Sequence, residues 1–199
     1  MAAPTRDVAQ RRSISQRELA FAALGALVGL AIIVGVWLYT AQTAEPTLPG
    51  VGETNRPAPA IALPALDGGT VHLSDFRGRV VLVNFWGTWC EPCKEETPAL
   101  QAAYQELRDE GLVILGVNLR RQEPDETAIR AFLQQYGVTY PTLLDVDGEA
   151  ARQFQIAPIP TSYFIDPAGN IRYIRVGTLS QEEVAALFSR LRQEASALR

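Results

Sequence analysis

The chain contains two cysteines, Cys90 and Cys93, in the run Trp89-Cys90-Glu91-Pro92-Cys93. Residues three apart on a helix lie about 5–6 Å apart at Cβ, so a small adjustment lets such thiols close a disulfide and reopen it. Position matters as much as spacing. At a helix N-terminus the unpaired backbone N–H groups stabilise a thiolate, the attacking species in disulfide exchange. Cys90, nearer the open end, is the expected nucleophile. Cys93, one turn further in, is the expected resolving thiol.

Other uses of the pair fit the residues less well. Attachment of haem needs histidine after the second cysteine, and that residue is Lys94. A peroxidatic cysteine would want Thr or Ser three residues before it, where Gly87 and Cys90 stand. A structural staple remains as an alternative, but so small a ring restricts the unfolded chain little. A structural zinc site lacks ligands, since the only histidine is His72. His72 lies in the alternating stretch Thr70-Val71-His72-Leu73 and reads as a solvent-facing strand residue. No metal and no cofactor are expected.

The elements that must position the cysteines alternate between strand and helix, which indicates an α/β layer architecture. Residues 79–86 form a near-continuous apolar, β-branched run, as in a central strand buried on both faces. A helix over 91–110 follows, with Leu100, Ala103, Tyr104 and Leu107 on its apolar face. Residues 112–117 supply a second buried strand, so a β-α-β unit places the cysteines where the first strand ends and its helix begins. A further helix over 125–136 leads to a return strand at Thr142-Leu143-Leu144. Residues 161–165 and 171–176 flank the turn Asp166-Pro167-Ala168-Gly169-Asn170 and suggest an antiparallel hairpin. Ser180-Gln181-Glu182-Glu183 has capping-box spacing and opens a last helix with the stripe Val184, Leu187, Phe188 and Leu191.

At 199 residues and 47% hydrophobic content there is room for one domain and an appendage. A net charge of −4 with no basic run in the domain argues against nucleic-acid binding. The appendage is the uncharged stretch 19–41, about 34 Å long as a helix and enough to cross a hydrocarbon core of about 30 Å. Arg6, Arg11, Arg12 and Arg17 precede it, which keeps residues 1–18 in the cytoplasm and puts the domain outside. A cleavable signal would have a shorter apolar core and a small-x-small site, absent near 39–44. Residues 42–59, rich in Pro, Gly, Thr and Ala, read as a flexible tether before a domain over 60–199.

The run Asn84-Phe85-Trp86-Gly87-Thr88-Trp89-Cys90-Glu91-Pro92-Cys93-Lys94-Glu95-Glu96 resembles the extracytoplasmic thioredoxin-like reductases of the ResA/TlpA type. Ile156-Ala157-Pro158-Ile159-Pro160-Thr161 resembles the loop before the hairpin in the same family, and the likeness covers residues 55–198. The resemblance implies a thioredoxin-like fold, a central mixed sheet flanked by helices. It also implies that Pro160 is cis and faces the cysteines, with Ile159 and Thr161 beside it in a substrate groove framed by Trp86, Trp89 and Pro92. The buried aspartate of cytoplasmic thioredoxins is replaced here by Asn84, which carries no proton. Glu96 matches the family's active-site glutamate, and on helix geometry alone a solvated carboxylate would be the simpler reading.

The expected activity is therefore reduction of disulfides in exported proteins, with Cys90 as nucleophile, Cys93 as resolver and Glu96 as proton carrier. Glu91, Glu95 and Glu96 surround the cysteines with only Lys94 to offset them, which favours the disulfide and a reducing protein. From the resemblance come apocytochrome c as substrate, in cytochrome c maturation, and a membrane thiol carrier of the CcdA type as electron donor. A general envelope reductase, a disulfide-forming oxidant, and a tethered chaperone or binding module with a structural disulfide remain alternatives.

Overall fold

The computed structural model describes residues 16–43, 51–156 and 158–197, with backbone alone for Val51 and for some positions within 16–43. Contacts divide it into a unit up to Thr47 and a unit from Leu48 onward. The first unit holds helix α1, Gln16–Thr43. Phe21, Leu27, Ile32 and Trp37 on it are exposed. Among the described residues no helix is long and apolar enough to cross a membrane. Residues 1–15, most of the segment expected to be a cytoplasmic tail, and 44–50, part of the expected tether, lie outside the described residues.

The second unit contains strands β1 (Val51–Pro57), β2 (Ala62–Pro64), β3 (Thr70–His72), β4 (Val80–Trp86), β5 (Leu112–Asn118), β6 (Thr142–Leu144), β7 (Thr161–Ile165) and β8 (Asn170–Val176). Its helices are α2 (Glu91–Leu107), α3 (Glu126–Tyr136), α4 (Glu149–Gln153) and α5 (Gln181–Ala197). The main sheet runs β1-β8-β7-β4-β5-β6, and β2 with β3 forms a separate hairpin. β4 pairs parallel with β5, and β5 with β6, as helical crossovers through α2 and α3 require. β7 pairs antiparallel with both β4 and β8, so the sheet is mixed.

All of β4 is buried, because its alternating side chains feed two different cores. Val81, Val83 and Phe85 pack on one face with Phe154 and Tyr163, while Val80 and Leu82 pack on the other with Leu100 of α2 and Phe188 of α5. A third cluster lies at the C-terminal end of β4, where Trp86 and both cysteines meet Ile129 and Phe132 of α3. The expected capping box at Ser180 is in place, and Asp125 caps α3 as well. Asp125 Oδ1 accepts from Ala128 N at 2.9 Å, Glu183 N donates to Ser180 Oγ at 3.2 Å, and Ser180 N donates to Glu183 Oε2 at 2.8 Å. The 161–176 hairpin closes through Gly169 N to Asp166 O at 2.8 Å, and His72 ends a strand and is exposed.

One boundary differs. Residues 51–57, expected within the tether, form edge strand β1 against β8, with partners from Val51↔Arg175 to Pro57↔Asn170. Their Gly, Thr, Asn and Pro content gives no apolar alternation, so the segment is held by backbone pairing to an exposed edge. Ala58 N continues the attachment by donating to Gly169 O at 3.0 Å. Short α4, five residues long, carries too little periodicity to read from sequence. A chain starting at residue 58 should lose about 2 kcal/mol or more of stability relative to one starting at residue 48, from several hydrogen bonds of about 1 kcal/mol each. Equal urea midpoints would make β1 a passive extension.

Candidate functional site

Because β4 ends at Trp86 and α2 begins at Glu91, a four-residue turn brings the chain from the sheet to the helix. Cys90 is the N-cap of α2, and its Sγ accepts from Cys93 N at 3.2 Å. Lys94 N donates to Cys90 O at 3.2 Å and closes the first helical turn. The cysteines are joined in a disulfide with Cα atoms 5.2 Å apart. Cys90 is 5% exposed and Cys93 fully buried, so an incoming sulfur can reach only the first. Pro92 sits in the first turn, where its missing N–H costs nothing.

Glu96, one turn beyond Cys93, is 2% exposed. Its Oε1 accepts from Asn84 Nδ2 at 2.7 Å, and its Oε2 accepts from Leu179 N at 3.2 Å. Asn84 Nδ2 also donates to Ser162 Oγ at 3.0 Å. Burial pushes the carboxyl up from its ordinary 4.5 to about 7, against the opposing pull of the Asn84 and Leu179 hydrogen bonds and the Arg175 charge. Desolvation wins, and a group that can hold or release a proton near neutrality results. Tyr140 is pushed up as well, by burial and then by the Glu96 charge, so its hydroxyl stays neutral. Neighbouring Glu95 is exposed, as a solvated helix carboxylate should be.

The Ile159–Pro160 bond is cis. Pro160 is buried, and its carbonyl accepts from Gly177 N at 2.9 Å. Ile159 packs against the cluster that contains both cysteines. Thr161 Oγ1 donates to Pro158 O at 2.9 Å, and Thr161 begins β7 opposite Phe85. Trp89 is 48% exposed and Pro92 is exposed, whereas Trp86 is buried and stacks on Phe132 at 4.7 Å. Trp86 is therefore a floor under the disulfide, and Trp89 and Pro92 are surface. Lys94 pairs with Glu91 at 2.8 Å, both partly or fully exposed, which leaves Glu95 and Glu96 without a lysine.

Several residues of the site gave little warning in the sequence. Ser162 and the backbone of Leu179 complete the Asn84–Glu96 network from β7 and the β8–α5 connection. Glu123, 6% exposed, accepts at Oε1 from Thr88 N at 2.7 Å and from Asn118 Nδ2 at 2.8 Å, and at Oε2 from Thr88 Oγ1. Only its place after the C-terminal end of β5, on the side of the sheet that carries the cysteines, could have marked it. Among the described residues no cluster of His, Cys, Asp and Glu is spaced to hold a metal ion.

Known proteins resemble this chain. The AhpC/TSA family model matches residues 54–174. The thiol-disulfide oxidoreductase ResA of Geobacillus kaustophilus is 36% identical over 158 residues, covering 79% of this chain and 87% of the relative. ResA of Bacillus subtilis is 31% identical over 171 residues, covering 86% and 92%. Among solved structures, StoA from Bacillus subtilis aligns with a TM-score of 0.58 at 25% identity, over 71% of this chain and 98% of that one. A thiol:disulfide interchange protein of the thioredoxin family from Chlorobium tepidum aligns at 0.63 and 25%, over 70% and 98%. Taken with the helix-capping disulfide and the cis-proline, these likenesses mean that the chain belongs to the AhpC/TSA family and is a thioredoxin-like thiol–disulfide oxidoreductase of the ResA type.

Proposed function

We propose that this oxidoreductase works as a reductant of protein disulfides outside the cytoplasmic membrane, held there by residues 19–41, with apocytochrome c as its substrate. The observation that carries the reading is the Cys90–Cys93 disulfide at the start of α2, with a buried acid of pKa about 7 one turn behind it. In the dithiol form, Cys90 thiolate attacks one sulfur of the substrate disulfide and expels the other as a thiolate, leaving a mixed disulfide. Cys93 gives its proton to Glu96 and attacks Cys90 Sγ, which releases the second substrate thiolate and reforms the Cys90–Cys93 disulfide. The two released thiolates take up protons, one of which Glu96 can return. Two electrons pass from protein to substrate.

The reducing direction is supported by the acidic surroundings of the disulfide, since Glu91 and Lys94 offset one another and Glu95 remains, joined by Glu96 as it loses its proton near pH 7. Anionic neighbours disfavour a thiolate and so favour the disulfide of this protein over that of its partner. Trp89, with Ile159 just before cis-Pro160, offers an apolar rim to an extended peptide. Return to the dithiol needs an external donor, for which a membrane thiol carrier of the CcdA type fits an anchored domain. The uncharged 19–41 run within helical α1, preceded by four arginines, supports the anchor.

The reduced full chain should reduce insulin, and Cys90→Ser should abolish this; a Cys90→Ser variant with parental turnover would make the disulfide structural. In the source organism, deletion should remove haem-stained c-type cytochromes, and added small dithiol should restore them. Normal cytochromes in a strain without a redundant reductase would contradict the substrate. Glu96 yields a pH dependence with a fixed sign. The folded protein keeps this proton up to about pH 7 while the unfolded chain loses it near 4.5, so stability of the oxidised protein falls as pH rises through that window. The fall is on the order of 3 kcal/mol and should be missing in Glu96→Gln, which should also slow resolution of the mixed disulfide about tenfold. Parallel stability curves for parent and variant from pH 4 to 8 would mean that Glu96 does not hold the proton.

A further inference from the structure

We propose that Glu123 is a positioning residue for disulfide exchange, and that it presents Trp89 to the protein substrate by fixing the turn over residues 87–90. The proposal rests on the assignment of exchange to Cys90 and Cys93. Glu123 itself is too deep to meet a substrate. Its carboxyl group is turned inward, and every hydrogen bond of that group is to a residue that flanks the site. Thr88 is held twice, through N at 2.7 Å and through Oγ1, and Asn118 at the end of β5 anchors the same carboxyl at 2.8 Å. The Glu123 backbone is held in turn by Arg120, whose Nη1 donates to Glu123 O at 3.3 Å.

The Cys90 end of the turn is held by its place as N-cap of α2, and the Thr88–Trp89 part has fewer restraints. Cys90 N donates to Gly87 O at 3.2 Å, and Trp89 lies back over Gly87 so closely that a Cβ there would stand 2.9 Å from Trp89 Cε2 and Nε1. The indole is nonetheless 48% exposed, so the buried core does not hold it. Its orientation depends on the backbone of Thr88 and Trp89, and hence on the carboxyl group that grips Thr88. Removing that group would leave Thr88 N–H and Asn118 Nδ2 without an acceptor in a mostly buried place, and the turn would rearrange to satisfy them. A protein substrate needs both an accessible Cys90 sulfur and a correctly placed indole. A small disulfide needs only the sulfur.

The test compares full-length parent, Glu123→Ala and Glu123→Gln in detergent, pre-reduced, with insulin and with Ellman's reagent as substrates. In Glu123→Gln the amide oxygen can still accept from Thr88 N and Asn118, and the amide nitrogen can donate to Thr88 Oγ1. Glu123→Ala should lower kcat/KM for insulin about tenfold and the rate with Ellman's reagent less than threefold, while Glu123→Gln should stay within threefold of the parent on both. Thr88→Val, which keeps the backbone bond and loses the hydroxyl bond, should lose about threefold with insulin, and it decides the matter if Glu123→Ala does not fold. Unchanged insulin kinetics in the folded variants, or equal losses with both substrates, would overturn the proposal. Failure of the parent to reduce either disulfide would instead remove the exchange assignment beneath it.

Discussion

Burial of β4 on both faces is the constraint from which the site follows. A strand whose odd and even side chains enter two separate cores cannot slip by one residue without sending every side chain into the wrong core. Its end at Trp86 is therefore fixed relative to α2, and the first turn of α2 is held at the point where Cys90 becomes the N-cap. Cys93 N in that turn then donates to Cys90 Sγ. Where the thiol stands is thus decided by packing far from it.

The same strand supplies the polar part of the chemistry. Asn84, in the middle of β4, donates to Ser162 and to Glu96, so a carboxyl group can sit in an otherwise apolar layer without being driven wholly neutral. Three favourable contributions, from Asn84, Leu179 N and Arg175, stop the shift near 7. Leu179 lies in the connection after β8, whose Gly177 N also donates to the carbonyl of cis-Pro160. One short segment thereby touches both the proton-holding acid and the loop proposed to bind substrate. Two hydrogen bonds, from Leu179 N and Gly177 N, tie them to this segment.

Much of this was legible in the sequence because the signals are local. β4 and β5 are apolar runs, α5 carries an amphipathic stripe with a capping box, and the cysteine spacing declares its chemistry. The cis state of Pro160 and the burial of Glu96 were reached only by resemblance, since helix spacing alone makes Glu96 an ordinary surface acid. What stayed hidden depends on contacts distant in sequence: β1 is held by backbone pairing to β8, Ser162 meets Asn84 from another strand, and Glu123 reaches back to Thr88 across two β-strand ends. None of these has a period or a motif. Each is a polar group that finds its partner only once the sheet has formed.

The proposed direction of exchange requires a stable Cys90–Cys93 disulfide and a dithiol that gives electrons away. The most direct test is the reduction potential of the Cys90/Cys93 couple at pH 7, measured against defined glutathione or dithiothreitol buffers. The acidic setting predicts a value close to or below that of a reducing thioredoxin, about −270 mV. A value near that of a strong disulfide-forming oxidant, about −120 mV, would contradict the account.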